Sequence, residues 1–134
     1  MHSGEEKYFS AGNRDCLVDI KKERIGLAIC ADIANPAHPE AIAIKNESIY
    51  AAGVLITREG YKNDALLLQN YALKYNMIIV MANYSKPTGG LIPAGKSTIW
   101  DNNGKLLAVA GETNRSLVVA KKESGRWSGS ITNF

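Results

Sequence analysis

The sequence predicts an α/β fold, and three observations carry that reading. Short runs of aliphatic and β-branched residues at 24–30, 54–57 and 77–82 have the length and composition of strands buried on both faces. Between them, residues 40–52 and 64–75 place apolar side chains at helical spacing. The resulting strand–helix–strand–helix–strand order implies parallel strands joined by right-handed crossovers.

Taken in order, Cys-Leu-Val-Asp-Ile at 16–20 reads as a strand, Lys21-Lys22-Glu23 as a tight turn, and 24–30 as the returning strand of a hairpin. Pro36 and Pro39 bracket the entry to a helix over 40–52. Ala41, Ile44, Ile49 and Ala52 share its apolar face, Lys45 interrupts that face, and Gly53 ends the helix. The strand at 54–57 follows. The helix at 64–75 carries a stripe of Ala65, Leu68, Ala72 and Tyr75, with Asn76 as a left-handed cap. After the strand at 77–82 comes a Gly- and Pro-rich loop to Lys96, long enough to suggest a functional role. Strands at 97–101 and 105–110 flank Asn102-Asn103-Gly104, whose Asn-Gly pair tolerates the positive φ of tight hairpins. A last strand occupies 116–120, and residues from Gly125 onward read as a tail.

With 134 residues the chain bounds one globular domain, short for an α/β enzyme. Its net charge of +3 is small, and the densest cationic groups, Lys21-Lys22-Glu23-Arg24 and Lys121-Lys122, flank strands. They read as solvated strand ends, which argues against a nucleic-acid partner. No apolar run approaches the roughly 18 residues of a membrane helix, and residues 1–6 lack the pattern of a signal peptide. Cys16 and Cys30 show no metal-type pairing and read as reduced thiols, which fits a cytoplasmic protein.

Residues 90–97, Gly-Leu-Ile-Pro-Ala-Gly-Lys-Ser, satisfy the letters of a phosphate-binding loop. That mechanism needs a strand leading straight in and a helix opening at the Lys-Ser. Here a strand and hairpin follow, so a glycine-containing loop entering a strand is the better reading, with nucleotide binding as the lesser alternative.

Cys30 is the principal chemical candidate. It ends a buried strand where the chain turns polar at Ala31-Asp32, and the strand-end rim is where α/β folds collect ligands. The ordinary alternative is a buried core thiol. A nucleophilic thiol needs a proton acceptor and donors for a developing oxyanion. His38, eight residues on, reads as lying beside the pocket rather than as the base, and His2 cannot be placed.

Glu5-Glu6-Lys7-Tyr8-Phe9-Ser10-Ala11-Gly12, then Arg24-Ile25-Gly26-Leu27-Ala28-Ile29-Cys30-Ala31-Asp32, closely resemble the nitrilase or carbon–nitrogen hydrolase superfamily. The resemblance continues through residues 54–57, 77–83 and 95–99 to Asp101-Asn102-Asn103-Gly104, in order and spacing over nearly the whole chain. It implies half or slightly more of an αββα sandwich in which Cys30 is the nucleophile. The Ala31 amide would be an oxyanion donor. Glu5, or Glu6 if the register slips by one, would assist the site. Asp32 would orient the turn, and Asn83 with the loop to Lys96 would line the pocket.

The implied activity is cleavage of a small amide, carbamoyl compound or nitrile through a cysteine acyl-enzyme, with no metal or cofactor. Family members are about twice this long. The general-base glutamate and the catalytic lysine they carry have no candidate here, and Lys7 falls on the wrong side of the motif. The expectation is therefore a single partial domain over 1–134 lacking its amino-terminal half, inactive or nearly so alone. It would form a homo-oligomer or associate with the missing half. The alternative is an inert remnant serving as a partner or oligomerisation module.

Overall fold

The computed structural model describes residues 4–10, 12, 15–46, 48–113 and 115–134. Six strands form one sheet in sequential order: β1 (Cys16–Ile20), β2 (Glu23–Ile29), β3 (Ile49–Val54), β4 (Ile78–Asn83), β5 (Thr98–Trp100) and β6 (Leu106–Val109). The central β2, β3 and β4 are parallel, and the outer pairings are antiparallel. Helices α1 (Ala37–Ile44) and α2 (Tyr61–Tyr75) connect the parallel strands, as the strand–helix alternation requires.

Alternation along the strands decides the two faces. Tyr50, Ala52 and Val54 of β3 and Ile79 and Met81 of β4 are buried against Ile42 of α1 and Leu68, Tyr71 and Ala72 of α2. Both helices therefore cover the same face. Gly26 of β2 makes the close approach of α1 possible, because a Cβ there would overlap the Ile42 side chain. On the opposite face lie Val18, Leu27, Ala51 and Val80, which the pairing registers bring into one row or its neighbour. No helix among the described residues covers them, and Ile29 at the strand end is 76% exposed.

Two element boundaries differ from expectation. The helix expected over 40–52 ends at Ile44, and Ile49–Val54 is a strand that includes Gly53. Asn46 adopts a left-handed φ of 58°, which stops the helix before the period-2 pattern of Tyr50, Ala52 and Val54 begins. The expected tail is instead strand β8 (Arg126–Asn133), paired along its length with β7 (Ser116–Glu123). Ser124 and Gly125, both at positive φ, make the two-residue turn. This hairpin packs over β6, where Gly129 lies against Leu107 and Ala108. Helix α2 begins at Tyr61 rather than at 64, and its cap Asn76 is left-handed as expected. No helix among the described residues is long and apolar enough to cross a membrane.

Candidate active site

Strand β2 ends at Ile29, and a 3-10 helix over Cys30–Ala34 begins at once. Cys30 makes the corner with φ at 45°, a left-handed conformation that costs a non-glycine residue about 1–2 kcal/mol. Such strained corners cluster at functional sites. The corner is held from both ends. The Asp32 carboxylate accepts the Ile29 N–H at 2.9 Å, the orienting role expected of it. Below, Ile33 is buried and its carbonyl accepts the Tyr71 hydroxyl of α2 at 3.0 Å. The Ala31 amide, in the first turn of the 3-10 helix, has no acceptor within that helix.

Cys30 is half-buried and Cys16 exposed, and both are free cysteines. Cys30 lines a depression of about 390 Å³ with Gly53, Val54, Leu55, Tyr84 and Thr88. Those walls come from the carboxyl end of the adjacent parallel strand and from the loop after β4. The loop was expected to contribute. The β3 end was not singled out from sequence, although parallel strands present their carboxyl ends to one shared rim.

Asn83 is used differently from the expectation that it lines the pocket with Cys30. Its side chain points to the helix-covered face, where Oδ1 accepts the Ile56 N–H at 2.8 Å. Its Nδ2 donates to the Ile56 carbonyl at 3.1 Å and to the Gly95 carbonyl at 2.7 Å. It sews the end of the β3 segment to the far end of the loop. Leu55 and Tyr84, its immediate neighbours across this clamp, are thereby fixed as walls of the Cys30 depression. Asn83 itself borders a separate polar cavity of about 320 Å³ with Ser85, Lys96, Ser97 and Arg115.

The structure does not place the two candidate glutamates on the Cys30 wall. Glu5 opens a 3-10 turn over Glu5–Lys7, where its carbonyl accepts the Tyr8 and Phe9 amides. The Glu6 carboxylate accepts the Gly4 N–H at 2.8 Å, and backbone hydrogen bonds hold it below the usual carboxylate range. His2 and Ala11 lie outside the described residues. His38 stands beside the site, as expected. Its Nδ1 pairs with the buried Tyr50 hydroxyl at 3.0 Å, and its ring borders a larger recess of about 750 Å³ with Asp15, Cys16, Leu27 and Asp32. Burial first, then the Asp32 charge, pushes the Tyr50 phenol far above its ordinary value, so it stays protonated.

The phosphate-loop letters take another shape. Gly89 and Gly90 make a tight turn closed by reciprocal Thr88 and Leu91 backbone bonds, and Lys96-Ser97 run into β5 rather than a helix. The Lys96 ammonium pairs with Glu112 at 3.0 Å and lies 5.2 Å from the Tyr61 ring centre. The helix that would cradle a phosphate is thus not formed at this motif.

Among curated proteins, the chain is similar to the glutamine-dependent NAD(+) synthetase of Thermotoga maritima. The two are 29% identical over 108 residues, covering 77% of this chain and 19% of that protein. The solved synthetase of the same description from Acinetobacter baumannii superposes with a TM-score of 0.84 at 20% identity, over 92% of this chain and 24% of that one. An amidase from Nesterenkonia sp. AN1 superposes with a TM-score of 0.76 at 22% identity, over 84% of this chain and 45% of that one. The chain thus spans less than half the length of these relatives, and its sheet with two helices on one face is part of a nitrilase-like sandwich. The carbon-nitrogen hydrolase family model matches residues 2–128, and the chain belongs to that family, within the nitrilase superfamily.

Proposed function

We propose that this chain carries the nucleophile of an amidase-type carbon–nitrogen hydrolase, and that the nucleophile is Cys30. The observation that carries the reading is the strained corner at Cys30, held by Asp32 and Tyr71 and opening on a recess. In the proposed reaction the Cys30 sulfur attacks the amide carbonyl carbon, and the Ala31 N–H donates to the resulting oxyanion. The C–N bond then breaks, the amine leaves with a proton, and water hydrolyses the thioester to the acid and the free thiol. Structures of the Nesterenkonia amidase support a nucleophilic thiol at such a site, since one carries the acetamide moiety of fluoroacetamide at its active-site cysteine. The synthetase relatives are described as glutamine-dependent, which also favours an amide as substrate.

In this reading the general base and a cation for the oxyanion come from outside these residues, and Glu5, off the Cys30 wall, takes no part in the step written above. The uncovered sheet face is where a segment bearing them would pack. The chain alone then hydrolyses amides at background rate, and robust turnover abolished by Cys30→Ala would overturn that expectation. The thiol itself is tested separately. In a Cys16→Ser chain supplied in trans with the portion of the Nesterenkonia amidase that this chain does not span, iodoacetamide is expected to alkylate Cys30 at least about tenfold faster than in urea, as activated thiols do. A folded rate no faster than the unfolded one supports the second reading, a partner module without chemistry, which the uncovered face favours.

A further inference from the structure

The wall that this chain gives to the Cys30 recess is formed by Gly53, Val54, Leu55, Tyr84 and Thr88, and none of these side chains carries a charge. Two are aliphatic, and the two polar ones offer neutral hydroxyls. The Asp32 carboxylate, two residues beyond Cys30 and bonded to Ile29 N–H, adds negative potential at the corner. Lys86, on the same loop, is exposed and is not part of the wall.

The wall is also fixed rather than adjustable. Asn83 clamps Ile56 to Gly95, Tyr84 N–H donates to the Val54 carbonyl at 3.1 Å, and Gly95 N–H donates back to the Tyr84 carbonyl at 3.1 Å. These bonds fix the backbone of the wall, and the exposed Lys86 side chain lies outside it. An ion placed against such a surface loses hydration without gaining a counter-charge, which is costly.

From this we infer that the part of the substrate lying against Tyr84, Thr88 and the β3 end is uncharged. The recess takes a neutral acyl amide, and it disfavours an amide whose acyl group bears a carboxylate or an ammonium there. The inference rests on Cys30 being the nucleophile, and it goes further by naming the charge of the group that meets this wall.

Paired haloacetyl probes test it on the Cys16→Ser chain. Iodoacetamide and iodoacetate both form an S–C bond at Cys30 and expel iodide, and they differ in one charge. The ratio of their rates in the folded chain, divided by the same ratio in urea, is expected to be about ten, the penalty of a partly desolvated carboxylate. Thr88→Lys, which sets an ammonium in the wall at an exposed turn position, is expected to return that quotient to about one, whereas Lys86→Gln leaves it at the wild-type value. A wild-type quotient near one, or one that rises with Lys86→Gln, overturns the neutral-wall inference. A Cys30 that iodoacetamide labels no faster than in urea, even with that portion of the Nesterenkonia amidase present, overturns the nucleophile reading instead, so the two failures are distinguishable.

Discussion

At the scale of single residues, the conformation of Cys30 can be tested apart from its chemistry. A φ of 45° places its Cβ against the following carbonyl, a penalty that only glycine escapes. Cys30→Ala keeps the penalty and Cys30→Gly removes it, at the cost of a floppier unfolded chain. We expect Cys30→Gly to be more stable than Cys30→Ala by about 1 kcal/mol in urea unfolding. Equal stabilities would mean that the corner is unstrained. The strand-end position of Cys30 was legible because a buried apolar run breaks abruptly at Cys30-Ala31-Asp32, whereas the turn-orienting role of Asp32 came from the family resemblance. The clamp made by Asn83 was not legible. Nothing in the letters around an asparagine at the end of a strand says that its amide will bond Ile56 and Gly95, which lie 27 positions before it and 12 after.

At the scale of elements, local pattern located the hairpin at Asn103-Gly104, α2 and its cap, and the central strands. It failed where two periods overlap. Ala41, Ile44, Ile49 and Ala52 fit a helical face, yet the left-handed Asn46 divides them between a helix and a parallel strand whose pairing with Ile25–Ile29 comes from distant sequence. Strand β8 escaped for a related reason: its alternation is weak, and only its partner β7 and the seat of Gly129 on β6 make it a strand. The loop seam offers a prediction here. Gly95, at φ 61°, brings the backbone against the Glu112 carbonyl so closely that no Cβ fits, and the Glu112 carboxylate bridges Lys96 and Arg58. The Lys96 hydrogen bond, then its charge, then Arg58 hold Glu112 below its usual 4.5. Glu23 is lowered chiefly by the Ser48 hydroxyl, with Lys122 adding to it. A carboxylate lowered in the folded state contributes stability that is present above its unfolded value and is lost as pH falls through the folded one. Stability is therefore expected to decline below about pH 4.5, and the combined Glu23→Gln and Glu112→Gln chain is expected to decline less steeply. Parallel acid profiles for the two chains, from urea melts at each pH, would refute this assignment.

At the scale of the whole molecule, the sheet is covered unequally. Helices close one face, the β7–β8 hairpin shelters the β5–β6 end of the other, and among the described residues no element covers the stretch from β1 to β4. On it Val18 is 37% exposed, Ile20 52% and Ile29 76%. Burying such half-exposed side chains contributes about 1 kcal/mol each, while fixing a partner in place costs at least about 4 kcal/mol. Three side chains therefore do not hold a complex together, and association has to draw on the rest of the sheet face. We expect the chain to self-associate through this face, with a sedimentation coefficient that rises with concentration. Val18→Lys combined with Ile20→Lys, on the edge strand β1 where lysine also discourages strand pairing, is expected to shift it to monomer without changing its circular dichroism. Competition then separates the partners. A polypeptide comprising the portion of the Nesterenkonia amidase that this chain does not span, added in trans, is expected to displace self-association if a second sheet is the natural cover. A wild-type chain that sediments as monomer at every concentration would show that the exposed face is tolerated without a partner.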